Sequence, residues 1–398
     1  MLKPSKTYFL YLVVFLGLLS AFGPFVIDMY LPALPEMTEV FHCETSVIQL
    51  GLTFCMVGLA VGQLLFGPAS DKYGRRPVLV FTLLIFVGAS LLCCLSTTIS
   101  VFIAARFLQG IGGAGGIVLS RSIAVDIYSG RELAKLIAIL SAINNIAPVA
   151  APVAGGGVAH AWGWQGIFVV LLALGIILTV MSLALKESLG KANRFKGSLT
   201  ASLRGYVTVL TVKGFGAYSF VYALSMAALF AYISSTPFIV QKVYGFSELQ
   251  FSLVFAVNAI GLATGSALTL KFKTMSRATK TGTRLGAAVA FVAVIISLTG
   301  CGGFLLYEIS TISMLFAIGL VLTGSTTVAM NLGRNCAGAA SAVVGGIGYI
   351  AGGIISPLVS VGNICVTSFS LCCLFLLLGA VLSGKVPLDE NAPQAMVE

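Results

Sequence analysis

Residues 67–95 read GPASDKYGRRPVLVFTLLIFVGASLLCCL, ten residues holding one acid and three bases followed by nineteen without a charge. The uncharged part is apolar on every face and long enough to cross a bilayer core as a helix, with all its backbone hydrogen bonds made internally. A run of the same kind, GIFVVLLALGIILTVMSLAL, follows at 166–185. A barrel strand would instead alternate in polarity over about ten residues. Across 398 residues the chain is 58% hydrophobic and 9% charged, against about 25% charge in soluble domains. A soluble core, a nucleic-acid module and a disordered tail are all excluded, and an all-α integral membrane protein is expected.

Apolar windows of about twenty residues, bounded by Gly, Pro and charge clusters, predict twelve spans. They fall near 8–31, 46–66, 78–96, 101–123, 135–158 and 164–185, then 213–236, 247–270, 285–304, 310–331, 337–359 and 364–383. With the N-terminus inside, all of the 23 basic residues except Lys242 and the intramembrane Arg106 fall on the inner side. The positive-inside rule then puts both termini in the cytoplasm, and the formal charge of +10 reports topology rather than nucleic acid. Glu36, Glu39 and Glu44 make the first outer loop acidic. The longest charged interval lies between spans 6 and 7. The expected organisation is therefore a six-helix bundle at 1–186, a cytoplasmic linker at 187–212, and a second six-helix bundle at 213–398 with a short tail. Two such halves suggest rocking about a midplane site; a scaffold or receptor with an even number of spans is the plainer alternative.

Lys3 and Lys6 precede an apolar stretch in the manner of a signal peptide, but the stretch runs on too long and lacks a small-residue cleavage site, so it is read as span 1. The nine cysteines are odd in number and show no paired spacing; Cys55, Cys93, Cys94, Cys372 and Cys373 read as small apolar fillers.

The 67–79 loop packs its charges into a hairpin. Gly67 and Gly74 permit close approach and tight turning, Asp71 can accept hydrogen bonds at the N-terminus of a neighbouring span, and Arg75 can pair with a carboxylate across the bundle. Lys72 and Arg76 complete the set. Positive-inside bias alone explains the three bases but neither Asp71 nor the glycine spacing. Arg121 and Asp126, at the inner end of span 4, are expected to join this latch.

GPASDKYGRRP resembles the signature loop of the major facilitator superfamily. RFLQGIGGAGG at 106–116 is similar to that family's fourth-span motif, and APVAAPVAGG at 147–156 to the fifth-span motif of its antiporters, with Ala151 where a glycine is usual. DMYLPALP at 28–35 is similar to the end of span 1 in drug:proton antiporters of the bicyclomycin-resistance (Bcr/CflA) type. The resemblance implies two pseudo-symmetric six-helix bundles and proton-coupled efflux of small amphipathic molecules, antibiotics included, by alternating access. It implies no enzyme and no cofactor, the proton gradient being the energy source. The implied partners are a small-molecule substrate, protons and the lipid bilayer, with no nucleic acid, and the implied form is a monomer in a bacterial inner membrane.

A charge at the bilayer centre costs at least about 2.5–3.5 kcal/mol, so Asp28 and Arg106 need explaining. Span 1 runs outward and span 4 inward, which puts both residues in the outer half, where they can meet in a cavity. Asp28 then carries the proton, exchanging it against cargo or arginine. A wetted helix end is the plain alternative for Asp28, because Pro32 and Pro35 follow; for Arg106 the plain alternative is bonding to backbone carbonyls. The resemblance assigns Arg106 to proton coupling. Where many multidrug relatives carry a second acid, this chain has Ser20, Gly23 and Pro24, which favours uncharged or zwitterionic cargo. Pro148 and Pro152 bend span 5 while Gly155 and Gly156 let a facing helix approach, so a sealing or hinge role is expected; GGIGYIAGGIISP at 345–357 repeats the pattern in span 11. Glu308 is placed in an outer loop, which leaves coupling to the first half. Candidate substrate contacts are Tyr30, Gln49, Gln109, Asn144, Asn145, Tyr218, Tyr222, Tyr232 and Asn258.

No phosphate-binding G-x-x-x-x-G-K-[ST] loop is present, and the glycines of 110–116 lie inside an apolar helix. His42 and His160 sit in outer loops, so neither a metal site nor a Ser-His hydrolase is indicated. The alternatives carried forward are an exporter of a metabolite such as a sugar, amino acid or siderophore, and a non-transporting membrane sensor.

Overall fold

A computed structural model describes residues 6–197, 199–299 and 303–385. Among these, eleven helices are long and apolar enough to cross a membrane. The longest, Gly130–Ala184, is broken at Gly163, whose φ of 66° lies in the left-handed region; a helix cannot pass straight through that conformation. It therefore supplies spans 5 and 6, and the expected twelve spans are all present.

Spans 2, 3 and 4 are Thr45–Tyr73, Arg75–Cys94 and Ile99–Ile127. Spans 7 to 12 are Phe215–Phe238, Glu248–Leu268, Met275–Thr299, Phe304–Leu332, Ala337–Ile355 and Ile364–Lys385. Span 1 is segmented into Lys6–Ser20 and Phe22–Asp28, followed by a 3-10 turn at Leu31–Ala33 and a short helix at Leu34–Val40. Proline at the start of each of the last two pieces fits a chain that must restart its hydrogen bonding there.

In a bilayer, helices gain little from burying apolar side chains against each other, so close backbone packing at small residues holds them. Spans 2 and 4 cross where a Cβ on Gly58 would strike the Phe107 carbonyl and one on Gly110 the Cys55 carbonyl. Spans 8 and 10 repeat this crossing with Gly265 against the Phe316 carbonyl and Gly319 against that of Leu262. The second crossing stands six spans after the first, so the two halves use one packing device.

The halves meet along two seams, span 2 with span 11 and span 5 with span 8. Polar ties concentrate at the end opposite the basic loops. There Gln49 Nε2 donates to the Ser234 carbonyl at 2.9 Å while its Oε1 accepts from Ser360 at 2.6 Å. Gln241 donates to the Pro32 carbonyl at 2.8 Å, and Lys242 pairs with Glu39 at 2.9 Å. At the basic end, the Tyr206 hydroxyl of the linker helix Leu199–Leu210 donates to the Leu64 carbonyl at 3.0 Å. Burial, aided by the Asp71 carboxylate, pushes that hydroxyl above the usual tyrosine value, which keeps it a donor.

The Lys242–Glu39 pair is exposed, and such pairs are worth roughly 0.2–1 kcal/mol. Lys242→Ala is expected to shift the balance toward separated halves at this end by no more than about fivefold. Distances between spin labels at Glu44 and Glu248 would show it; an unchanged distribution would mean that the pair ties nothing.

Candidate functional site

Between the halves lies a cavity of about 150 Å³. Span 1 contributes Asp28, span 5 Pro148, span 7 Phe230 and Tyr232, span 8 Asn258 and span 11 Tyr349. Asp28 is the last residue of the helical segment Phe22–Asp28, only 6% exposed, and its Oδ1 has no hydrogen-bond partner among the described residues. The wall is otherwise largely apolar and aromatic.

Arg106 is fully buried nearby but does not pair with Asp28. Its guanidinium donates to the Val26 carbonyl at 2.8 Å and to Gln109 Oε1, and it stacks over the Tyr30 ring with its centre 4.2 Å from the ring centroid. Gln109 in turn donates to Ser90 Oγ at 2.8 Å. The expected meeting of the two charges fails for a geometric reason: residues two apart on a helix point about 200° apart. The Val26 side chain faces Gly113 of span 4, so Asp28, two residues on, points away from that span and toward the cavity.

Of the other candidate contacts, Tyr232 and Asn258 line the cavity. Tyr30 and Gln109 belong to the arginine cluster, and Gln49 ties the two halves at the acidic end. The Tyr218 hydroxyl bonds Ser276 within the second half at 2.7 Å. Tyr222 packs against Gly348 of span 11, and Asn144 is half-buried on span 5 away from the cavity wall. The Asn145 side chain lies outside the described residues. Phe230, Phe255 and Tyr349, which the sequence reading did not single out, supply much of the aromatic wall. No periodicity distinguishes such residues from ring-bearing residues that face lipid.

Glu308, expected in an outer loop, stands instead within span 10, which begins at Phe304, and accepts from Asn258 Nδ2 at 3.4 Å. The second half therefore does carry an acid inside a spanning helix, one turn from its outer end.

At the basic end the charged loop forms a network. Arg75 reaches Asp71 at 2.5 Å, Asp126 at 2.9 Å and Ser70 Oγ at 2.6 Å. Asp71 does not cap span 3. Glu187, which the sequence reading left unremarked, takes that role by accepting from the backbone N–H groups of Arg75 at 2.9 Å and Arg76 at 3.3 Å. A carboxylate there also complements the positive end of the helix. Ser188 donates to Asp126 at 3.0 Å, and Arg194 stands 3.6 Å from Glu187. Gly74 has φ 107°, a backbone conformation that side chains rarely adopt, and a Cβ on it would displace the tips of Glu187 and Arg194. Arg76 donates to the Leu183 carbonyl at 2.6 Å. Lys72 lies over the Tyr73 ring, Gly67 faces Val118 of span 4, and Arg121 is exposed at the inner end of span 4 outside the network.

Removing one partner of a buried pair typically costs about 3–5 kcal/mol, although the half-exposed Asp71 lowers that figure here. Arg75→Ala is expected to slow transport by more than about tenfold, and Glu187→Gln, which keeps one acceptor for the span 3 backbone, by less than about tenfold. Initial rates of both variants, compared at equal expression, decide it; equal losses would show that the network acts only through charge.

On span 5, Pro148 lines the cavity and Pro152 is buried. A Cβ on Gly155 would overlap the Met29 carbonyl of span 1, and one on Gly156 would overlap Ser252 Oγ of span 8. This short stretch thus touches both halves through backbone.

A family model described as Major Facilitator Superfamily matches residues 13–357. An uncharacterized MFS-type transporter, YdgK, of Bacillus subtilis is 37% identical over 367 residues, covering 91% of each chain. A bicyclomycin resistance protein homolog of Haemophilus influenzae is 26% identical over 367 residues, covering 90% of this chain and 91% of its own. Among solved structures, a bacterial homolog of the human lysosomal transporter Spinster aligns with a TM-score of 0.73 at 16% identity, over 96% of this chain and 97% of that one. At that identity the likeness concerns the fold alone.

Proposed function

The chain belongs to the Major Facilitator Superfamily and is a multi-pass membrane transporter, not an enzyme, and from that premise we propose that it expels small amphipathic molecules in exchange for protons. The observation that carries this reading is Asp28, a buried and unpaired carboxyl that lines a cavity built by both halves. A lone carboxylate in such a place costs several kcal/mol unless it is neutralised or hydrogen-bonded. The group therefore changes hands between a hydrogen ion and a hydrogen-bonding cargo, which couples the two flows.

The aromatic, weakly polar wall fits ring-bearing amphipathic compounds better than sugars, whose many hydroxyls would lack partners there. Similarity to a protein named for bicyclomycin resistance supports antibiotics among the cargo and a drug:proton antiporter of the bicyclomycin-resistance type. Pockets that enclose drug-sized ligands measure roughly 300–1,000 Å³, so loading requires the halves to part. With the basic loops on the cytoplasmic side of a bacterial inner membrane, both termini are cytoplasmic. Arg106, held by a carbonyl, an amide and a ring, fixes the span 1 turn that aims Asp28.

The test uses purified protein in liposomes with an acidic interior and a panel of antibiotics that includes bicyclomycin and chloramphenicol outside. Uptake that collapses when the gradient is dissipated supports the reading. No gradient-driven uptake of any compound overturns it.

A further inference from the structure

Glu308 is an acid inside a spanning helix that proton exchange at Asp28 does not use. It stands one turn into span 10, and its Oε2 accepts from Asn258 Nδ2 at 3.4 Å. Asn258 is fully buried and lines the same cavity as Asp28. The Tyr232 hydroxyl lies within hydrogen-bonding reach of the Asn258 side chain, and Tyr307 and Thr311, on the same helix as Glu308, adjoin each other. Asn258 thus stands between two oxygen groups, the Glu308 carboxylate and the Tyr232 hydroxyl, and an amide placed so can exchange its donor and acceptor ends between them. The titratable groups that face Glu308 are Tyr307 on its own helix and Tyr232 on span 7. No lysine, arginine or histidine forms an ion pair with it among the described residues.

An asparagine amide has one accepting and one donating end, and its partners dictate which way it turns. An ionised carboxylate can only accept, so Asn258 gives it the NH2 group and leaves Oδ1 for other partners. A protonated carboxyl carries an O–H that can donate to Oδ1, and the amide then turns by half a revolution and frees its NH2. Metal binding fits poorly here, because an N–H donor aimed at the carboxylate occupies the place a cation would take.

We propose that Glu308 is a second hydrogen-ion site and that Asn258 converts its protonation state into a change of hydrogen-bonding character on the cavity wall. With Glu308 ionised, the wall offers the Asn258 oxygen and receives cargo through N–H or O–H groups. Uptake of one proton converts the carboxylate to the acid, the amide turns, and the wall offers a donor that meets donor-bearing cargo unfavourably. Release of that proton to water restores the first state. The inference rests on proton exchange as the energy source and adds a second point of exchange, in the opposite half from Asp28.

Infrared difference spectra of the liposome-embedded protein between about pH 5 and about pH 8 test it without any cargo. The wild type is expected to show two carboxylic-acid stretching components and an asparagine amide signal that changes with them. Glu308→Gln should lose one carboxylic component and the amide signal together. Asn258→Leu should lose the amide signal and shift that carboxylic component, and Asp28→Asn should lose only the other component. A Glu308→Gln spectrum that matches the wild type, or one that loses the acid component while the amide signal persists, overturns the proposal and leaves the Asp28 reading intact. A wild-type spectrum that shows only the component lost in Glu308→Gln, and that Asp28→Asn leaves unchanged, would instead remove the Asp28 reading and leave Glu308 standing. The helical amide band confirms that each variant is folded.

Discussion

Asp28→Asn is expected to reduce gradient-driven transport by at least about 60-fold, the equivalent of the roughly 2.5–3.5 kcal/mol that inserting a charged side chain into the bilayer costs. The substitution keeps the size and most of the hydrogen-bonding capacity of the side chain while removing its ability to bind and release a proton. Packing should survive, because Asp28 makes no ion pair among the described residues and its Oδ1 has no partner to lose. The defect should therefore be specific: exchange of labelled for unlabelled drug at equal pH on both sides should continue, while accumulation against a gradient stops. Liposomes measured in both modes separate the two. Wild-type accumulation by the variant would remove Asp28 from the coupling mechanism, whatever carries the drug.

The second large effect is expected on span 5. In Gly155→Leu the new Cβ falls on the Met29 carbonyl, which is backbone and cannot swing aside. Overpacking of this kind typically costs about 1–3 kcal/mol, and here it would also push span 1 away from span 5, where Asp28 and Pro148 share the cavity wall. Transport should fall by at least about tenfold, and the protein should melt at lower temperature in detergent. Gly157 supplies the control. It is two residues on in the same helix, is exposed, and has nothing within 4 Å of a built Cβ. Gly157→Leu should therefore be nearly silent in both measurements. Equal behaviour of the two variants would show that span 5 glycines matter for general flexibility rather than for contact with span 1.

Motif residues and cavity residues differed in how far the sequence disclosed them. Asp71, Arg75 and Asp126 were legible because four charges in a short hairpin demand partners. Glu187 was not, since its role depends on the linker folding back over the start of span 3. Tyr232 and Asn258 emerged from a list of polar residues that also held Gln49 and Tyr218. All four are polar groups inside apolar helices, and only the packing shows that the last two bond to neighbouring helices instead of lining the cavity. Glu308 was misplaced because Gly302, Gly303 and a nearby acid resemble a loop, whereas the helix begins as soon as the glycines end.

The sequence by itself determined that this chain spans a membrane about twelve times, which end of the bundle carries the basic loops, and which hairpin holds the charge network. Those properties follow from the period and distribution of apolar and charged residues, which lipid and water read directly. Only the tertiary structure decided that Asp28 faces a cavity while Arg106 takes the Val26 carbonyl, and that Glu308 reaches the same cavity through Asn258. Helix rotation and the meeting of distant spans set those relations, and in lipid both are fixed by close contacts between small residues from many helices at once, which no single stretch of sequence contains.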